Sequence, residues 1–289
     1  MATGTLYVVA TPIGNLEDVS ARALRILREV HVIACEDTRH TRLLLQRYGI
    51  TTPQVSYHEH NEQTRAQELL RRLQEGTSVA LVSDAGTPVL SDPGFTLVRQ
   101  AVAAGVPIVP VPGASAITAA LSVAGLPTDR FVFLGFLPRK AGERRRALVD
   151  IARIPWTLVM FEAPHRVVRT LRDLRGVLGD RQVAVMRELT KKFEEIVRGT
   201  VSEVADRMAQ PPPRVELTLV VAGAQPVRGE ASGRATIPPD DPAAHLRGLL
   251  RSGVPVKDAV RQVAQAHRLP RRTVYEMALV LQGKRQRGT

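Results

Sequence analysis

Short apolar runs alternate with amphipathic segments through the first half of the chain. Leu6–Ala10, Val30–Ala34, Gln54–Tyr57, Val79–Ser83 and Pro107–Val111 are strand-length runs bounded by polar and turn residues. Between them, three- and four-residue apolar spacing predicts helices ending near Arg28 and over Thr38–Tyr48, Glu62–Glu75, Gly94–Ala104 and Ser115–Ala124. Strands alternating with helices imply an α/β fold with a mostly parallel sheet covered on both faces. Its ligands belong beyond the carboxyl ends of the strands. After Leu126–Asp129 the rhythm changes. Phe131–Phe136, Thr157–Phe161, Val183–Glu188, Glu194–Thr200 and Val215–Ala222 read as strands with fewer helices between them, which implies a mixed sheet. A Gly-, Pro- and Ser-rich stretch follows, then three short helices over Ala243–Arg251, Lys257–His267 and Arg271–Gln282. The expected division is 1–128 and 129–223 for the two lobes, 224–242 for a linker and 243–289 for a small helical domain.

Composition changes this picture in two ways. Ala101–Pro127 carries no charge and is long enough for a bilayer, but Pro107, Pro110, Pro112 and three glycines break it, so no membrane span is expected. Residues 1–11 lack the basic and apolar regions of a secretory signal, and the single Cys35 suits a reducing compartment, so a cytoplasmic location is expected. The charge is uneven. Residues 231–289 hold 11 basic and 4 acidic side chains, net +7, against 29 and 24 in the preceding 230. Such an excess points to a polyanionic partner at that end. Val256–Ala266 and Arg271–Leu281, joined by a turn, have helix-turn-helix spacing, with Ala259, Val263, Leu269, Val274 and Ala278 as its core. Arg268, Arg271 and Arg272 then sit where phosphate contacts are usual. Taken alone, that element reads as DNA-binding.

Candidate chemistry gathers at the strand ends. Thr11-Pro12-Ile13-Gly14-Asn15, Ser83-Asp84-Ala85-Gly86-Thr87-Pro88 with Ser91-Asp92-Pro93-Gly94, and Pro112-Gly113-Ala114-Ser115-Ala116 are three small-residue loops on one sheet edge. Such loops let backbone amides approach a ligand closely. Asp84 suits a ribose hydroxyl or a cationic amine, and Ser115 serves either as a helix cap or as a ligand contact. Several classes drop out. The G-x-G-x-x-G dinucleotide pattern, the phosphate-binding G-x-x-x-x-G-K-[ST] loop and the G-x-S-x-G elbow are all absent. His58 and His60 lack a third ligand at a recognisable spacing, so no metal is expected. Polar clusters at Glu36–Thr41, Phe161–Arg166, Arg187–Glu195 and Arg214–Glu216 flank further strand ends.

The strings ATPIGNLEDVSARAL, ACEDTRHTRLLL, HEHNE, ALVSDAGTPVLSDPG, PVPGASA, EAPHR and RELTKKFEE, in this order, resemble the bacterial small-subunit ribosomal RNA ribose methyltransferases of the tetrapyrrole-methylase-like superfamily. Two departures stand out: Ala163 where the family often has Ser, and Val215 where Gly usually stands. The resemblance implies a two-lobed fold and an S-adenosylmethionine cofactor. It implies 2′-O-methylation of a decoding-centre cytidine of 16S rRNA in the small ribosomal subunit, and a homodimer. By the same resemblance, Pro12, Gly14, Ser83, Asp84, Ala85, Gly86, Ser115, Ala116, Phe161 and Leu189 border the cofactor. Glu162, Lys191 and Glu194 are equal candidates for the catalytic group; Asp37, Arg39, His165 and Arg166, with the three tail arginines, face RNA. Two readings compete: a DNA-binding regulator with a small-molecule-sensing domain, and a tetrapyrrole methylase acting on small molecules.

Overall fold

The computed structural model describes residues 3–209, 215–225, 241–251, 254–267 and 269–283. Arg214, Arg268 and most of the expected linker lie outside the described residues. The chain divides into two compact units, 1–225 and 226–289.

In the first unit, β1 (Leu6–Val9), β2 (Val32–Cys35), β3 (Gln54–Ser56), β4 (Val79–Val82) and β5 (Ile108–Val111) form a parallel sheet in the order β3-β2-β4-β1-β5. All four residues of β2 and all four of β4 are buried, as strands covered on both faces must be. The two-residue side-chain period sorts them. Ile33, Cys35, Ala80 and Val82 pack with Ala23, Ile26 and Leu27 of α1 (Ala21–Glu29) and with Leu44 and Leu45 of α2 (Thr38–Arg47). Val32, Ala34, Val79 and Leu81 face the other way, onto Ala66, Leu69 and Leu73 of α3 (Glu62–Gln74) and Leu97 and Ala101 of α4 (Phe95–Ala103). Ahead of α1, the expected continuous helix is instead a 3-10 turn at Leu16–Asp18 and a fresh start capped by Ser20, whose side chain accepts the Ala23 N–H.

The second sheet contains β6 (Phe131–Phe136), β7 (Thr157–Glu162), β8 (Gln182–Arg187), β9 (Glu195–Thr200) and β10 (Leu217–Val221), in the order β6-β7-β10-β8-β9. Only β6 and β7 run parallel; the other pairs are antiparallel, the mixed sheet expected. One face packs on Leu148 of α6 (Ala141–Ile151), on α7 (Val167–Leu178) and on α8 (Val201–Ala209). The other carries Val159, Ala184, Met186 and Val220 against Ile117, Ala120, Leu121 and Ala124 of α5 (Ala116–Ala124). Helix α5 follows the last strand of the first sheet but its buried face belongs to the core of the second. It therefore joins the two halves across the expected boundary at 128.

The second unit holds α9 (Pro242–Arg251), α10 (Val256–Ala266) and α11 (Arg271–Gly283). Ala259, Val263, Val274 and Ala278 are fully buried around Leu246, and Leu269 packs against them. The core is the one the helix-turn-helix spacing indicates.

Candidate active site

The loops beyond β1 and β4 are fastened to each other. Thr11 N–H donates to the Gly86 carbonyl at 2.8 Å, and Gly86 N–H returns the bond to Thr11 at 3.1 Å. Thr11 Oγ1 also donates to the Ser83 carbonyl at 3.1 Å. Gly86 sits at φ +83°, a left-handed backbone that favours glycine. The Asp84 carboxylate accepts the Asp37 N–H at 3.0 Å, tying the β4 loop to the start of α2. Glu62 anchors the far end of the same loop, accepting N–H bonds from Gly94 and Thr96 and the Tyr57 hydroxyl.

Opposite these loops, the turn at 188–194 between β8 and β9 reaches back to the first sheet. Asn15 N–H donates to Thr190 Oγ1 at 3.0 Å, and a Cβ on Gly14 would lie 2.6 Å from Lys191 Cγ. Between the two sheets lies a cleft of about 680 Å³. Ile13, Asp84, Ala85, Gly86, Ser115 and Ala116 line it from one side, and Phe136, Phe161, Met186, Leu189 and Lys191 from the other. Ser115 has the extended backbone of a helix cap but no side-chain capping bond, so of its two expected roles the structure leaves the cleft. Pro12 and Ser83 are buried behind the lining, where they shape the loops rather than reach the cavity. Gly14 is exposed and sits beneath Lys191.

The cleft also gathers Glu36, Asp92, Glu188 and Glu216, none of them carried forward as a candidate from the sequence. With Asp84 they make five carboxylates against one ammonium, Lys191, among the described residues. Burial pushes Asp92 up to about 6, its hydrogen bond with Ser83 opposes this, and Glu36, Asp84 and Glu216 raise it further. Glu36 is raised as well, by burial first and then by Asp84. The signal for Asp92 lay in the SDPG string: Ser91 holds a left-handed φ of 66° beside it, a backbone that non-glycine residues adopt at a cost.

Two of the three candidate catalytic groups are elsewhere. Glu162 is fully buried and does not line the cleft; its carboxylate accepts the Thr170 hydroxyl at 2.5 Å and the Ala163 N–H at 2.8 Å, and pairs with Arg166 at 3.1 Å. Both carboxylate oxygens are engaged by structural partners, so Glu162 fixes the start of α7. Glu194 accepts the Thr190 N–H at 2.6 Å and holds the turn. Lys191 alone points into the cavity. Of the expected RNA contacts, Arg166 is drawn inward to the Leu137 and Pro138 carbonyls, whereas His165 is exposed. Arg39 is exposed but closes on Asp37, and its guanidinium hydrogen bonds hold that carboxyl well below the usual carboxylate range. In the second unit Arg271 and Arg272 are exposed at the start of α11, with Arg272 paired to Glu276. No group of histidine, cysteine and carboxylate side chains suited to a metal occurs among the described residues.

Comparison with known proteins fits this geometry. Residues 5–205 match the family model described as tetrapyrrole (corrin/porphyrin) methylases, and residues 236–282 match the RsmI C-terminal HTH domain. A ribosomal RNA small subunit methyltransferase I of Pseudomonas aeruginosa is 48% identical over 98% of this chain and 100% of its own. Its namesake from Synechocystis is 47% identical, covering 96% and 99%. The chain belongs to the ribosomal RNA small subunit methyltransferase I family. It is an S-adenosylmethionine-dependent methyltransferase. The fold of the first unit is similar to that of uroporphyrin-III C-methyl transferase from Thermus thermophilus, solved with S-adenyl homocysteine: TM-score 0.53, 24% identity, 75% of this chain and 97% of that one.

The cleft fits the cofactor by its own chemistry. Its volume is in the range of small-molecule sites. The acidic lining suits a ligand bearing a sulfonium and an ammonium, and Phe161, Met186, Ile117 and Leu189 offer an apolar wall to a purine.

Proposed function

We propose that the protein methylates the ribose 2′-hydroxyl of a decoding-centre cytidine in 16S rRNA of the small ribosomal subunit, in the cytoplasm and as a homodimer. The observation that carries this reading is Lys191, the one cationic side chain among the described residues that line the cleft, facing five carboxylates there. Bound S-adenosylmethionine supplies a methyl group already activated by the positive sulfur. The protein's part is therefore alignment, exclusion of water and charge. Glu36, Asp84, Asp92 and Glu216 favour the cation. The Asp84 loop, held rigid by Thr11 and Asp37, fixes its position. The 2′-oxygen bonds to the methyl carbon as the carbon–sulfur bond breaks, and its proton passes to a carboxylate or water. As that proton leaves, negative charge builds on the oxygen ahead of the new bond, and the Lys191 ammonium favours that charge. Family membership supports the RNA substrate, and the basic second unit supplies a surface for a polyanion.

The test is to incubate the protein with labelled S-adenosylmethionine and unmodified small ribosomal subunits, beside naked 16S rRNA, duplex DNA and a tetrapyrrole. One labelled ribose in the subunit is expected. Cofactor binding without transfer to RNA would overturn the reading, and label on the porphyrinoid would replace it. Sedimentation equilibrium at twice the chain mass is expected for the dimer; a monomer at assay concentration would remove it.

A further inference from the structure

Phe193 is 68% exposed, more than any other large apolar side chain among the described residues. A lone exposed apolar residue is ordinary, but this one is set apart by what holds it and what surrounds it. It stands on the 188–194 turn at the rim of the cleft. Glu188 and Thr190 of that turn have left-handed φ angles of 52° and 67°, a backbone that costs energy in residues other than glycine. The turn is tied down: Lys191 N–H donates to the Glu188 carbonyl at 2.9 Å, Glu194 N–H to the Lys191 carbonyl at 3.1 Å, and Thr190 N–H to the Glu194 carboxylate at 2.6 Å. These bonds fix the backbone on both sides of Phe193, and its ring stands outward. Lys192 Nζ lies 5.6 Å from the ring centroid, and Lys191, two positions before Phe193, lines the cavity. Neither lysine forms an ion pair among the described residues.

We propose that Phe193 is a stacking platform for an unpaired RNA base adjacent to the target nucleotide, with Lys192 on the neighbouring phosphate. The inference rests on the RNA reading above and gives it a specificity contact in the first unit. An isolated flat ring beside two lysines fits a chain of bases and phosphates, and the neighbouring Glu194 and Glu195 are engaged by the Thr190 N–H and by Arg187. A protein or lipid partner would need a contiguous apolar patch, whereas Lys191, Lys192, Glu194 and Glu195 around the ring are all exposed and charged. Bases presented without a pairing partner are commonly held by aromatic stacking.

The experiment compares the native enzyme with F193A, F193L and F193W on unmodified small ribosomal subunits, reading kcat and KM for the subunit, cofactor affinity by calorimetry and mass by sedimentation. Loss of one stacked base corresponds to roughly a ten-fold rise in KM for F193A. F193L is expected to behave like F193A, F193W like the native enzyme, and cofactor affinity and mass are expected to stay constant in all three. A native KM in F193A, full rescue by leucine, or a change of mass with KM intact would overturn the proposal. If the native enzyme itself labels no ribose, the functional reading fails; if it does and F193A matches it, only the platform fails.

Discussion

At the scale of single residues, Asp92 and Lys191 set the chemistry of the cleft. Asp92 stands near 6 instead of its ordinary 3.8, so the folded protein binds its proton more tightly than the unfolded chain does. The native state is consequently penalised as pH rises from about 4 to 6. D92N removes that penalty. It should melt higher than the native protein above pH 6, with the gap closing below pH 4, as scanning calorimetry across pH would show. The same proton competes with a cationic cofactor. Native affinity for S-adenosylmethionine should rise between pH 5 and 7, and D92N should flatten the rise; an unchanged pH profile by calorimetry would falsify the role of Asp92 in holding the cation. Lys191 acts on the other charge. K191M should lower single-turnover methyl transfer by roughly 100-fold, the scale of losing one group that stabilises a developing oxyanion. Its cofactor affinity should hold or tighten, because a cation has left an acidic pocket. The sequence displayed Asp84, Ser115 and Lys191 openly, since they stand in loops at strand ends. It could not separate Lys191 from Glu162 and Glu194, because that choice depends on which carboxylates find partners three-dimensionally.

At the scale of elements, two junctions position these groups. Glu162 closes β7 and receives Thr170 and Arg166 of the α7 region, deep in the core. E162A would leave the Arg166 guanidinium, only 13% exposed, with carbonyl partners but no counter-charge and would free the Thr170 hydroxyl, and should cost about 3 kcal/mol in urea unfolding. A loss of activity without loss of stability would return Glu162 to the catalytic candidates. The second junction is Gly14 under the 188–194 turn. Its φ is not left-handed; what demands glycine is contact, since a Cβ would meet the Leu189 carbonyl at 2.9 Å as well as Lys191. G14A should break the Asn15–Thr190 bond, destabilise by about 1–3 kcal/mol, and slow methyl transfer by displacing Lys191. Strand and helix positions were legible from period alone. The approach of loop 13–15 to turn 188–194, separated by 175 residues, was not.

At the scale of the molecule, the two units carry separate cores, one around the paired sheets and one around Leu246, Val263 and Val274. Removing 226–289 should leave the melting transition of the first unit and its cofactor affinity unchanged while weakening binding to the small subunit, measured by filter binding across salt concentrations. A reduced salt dependence is part of the expectation, because the deleted residues carry +7 of the net +12 charge. Equal affinity in both forms would remove the second unit from RNA recognition.

The sequence by itself determined the strand–helix alternation, the glycine-bearing loops and the basic tail, because each follows from local periodicity, backbone freedom or a count of charges. Only the tertiary structure decided that α5 belongs to the second core, that five carboxylates share one cleft, and that one of three candidate groups points into it. Those outcomes arise where residues far apart in the chain compete for the same partners and the same buried space, and no local pattern records which of them wins.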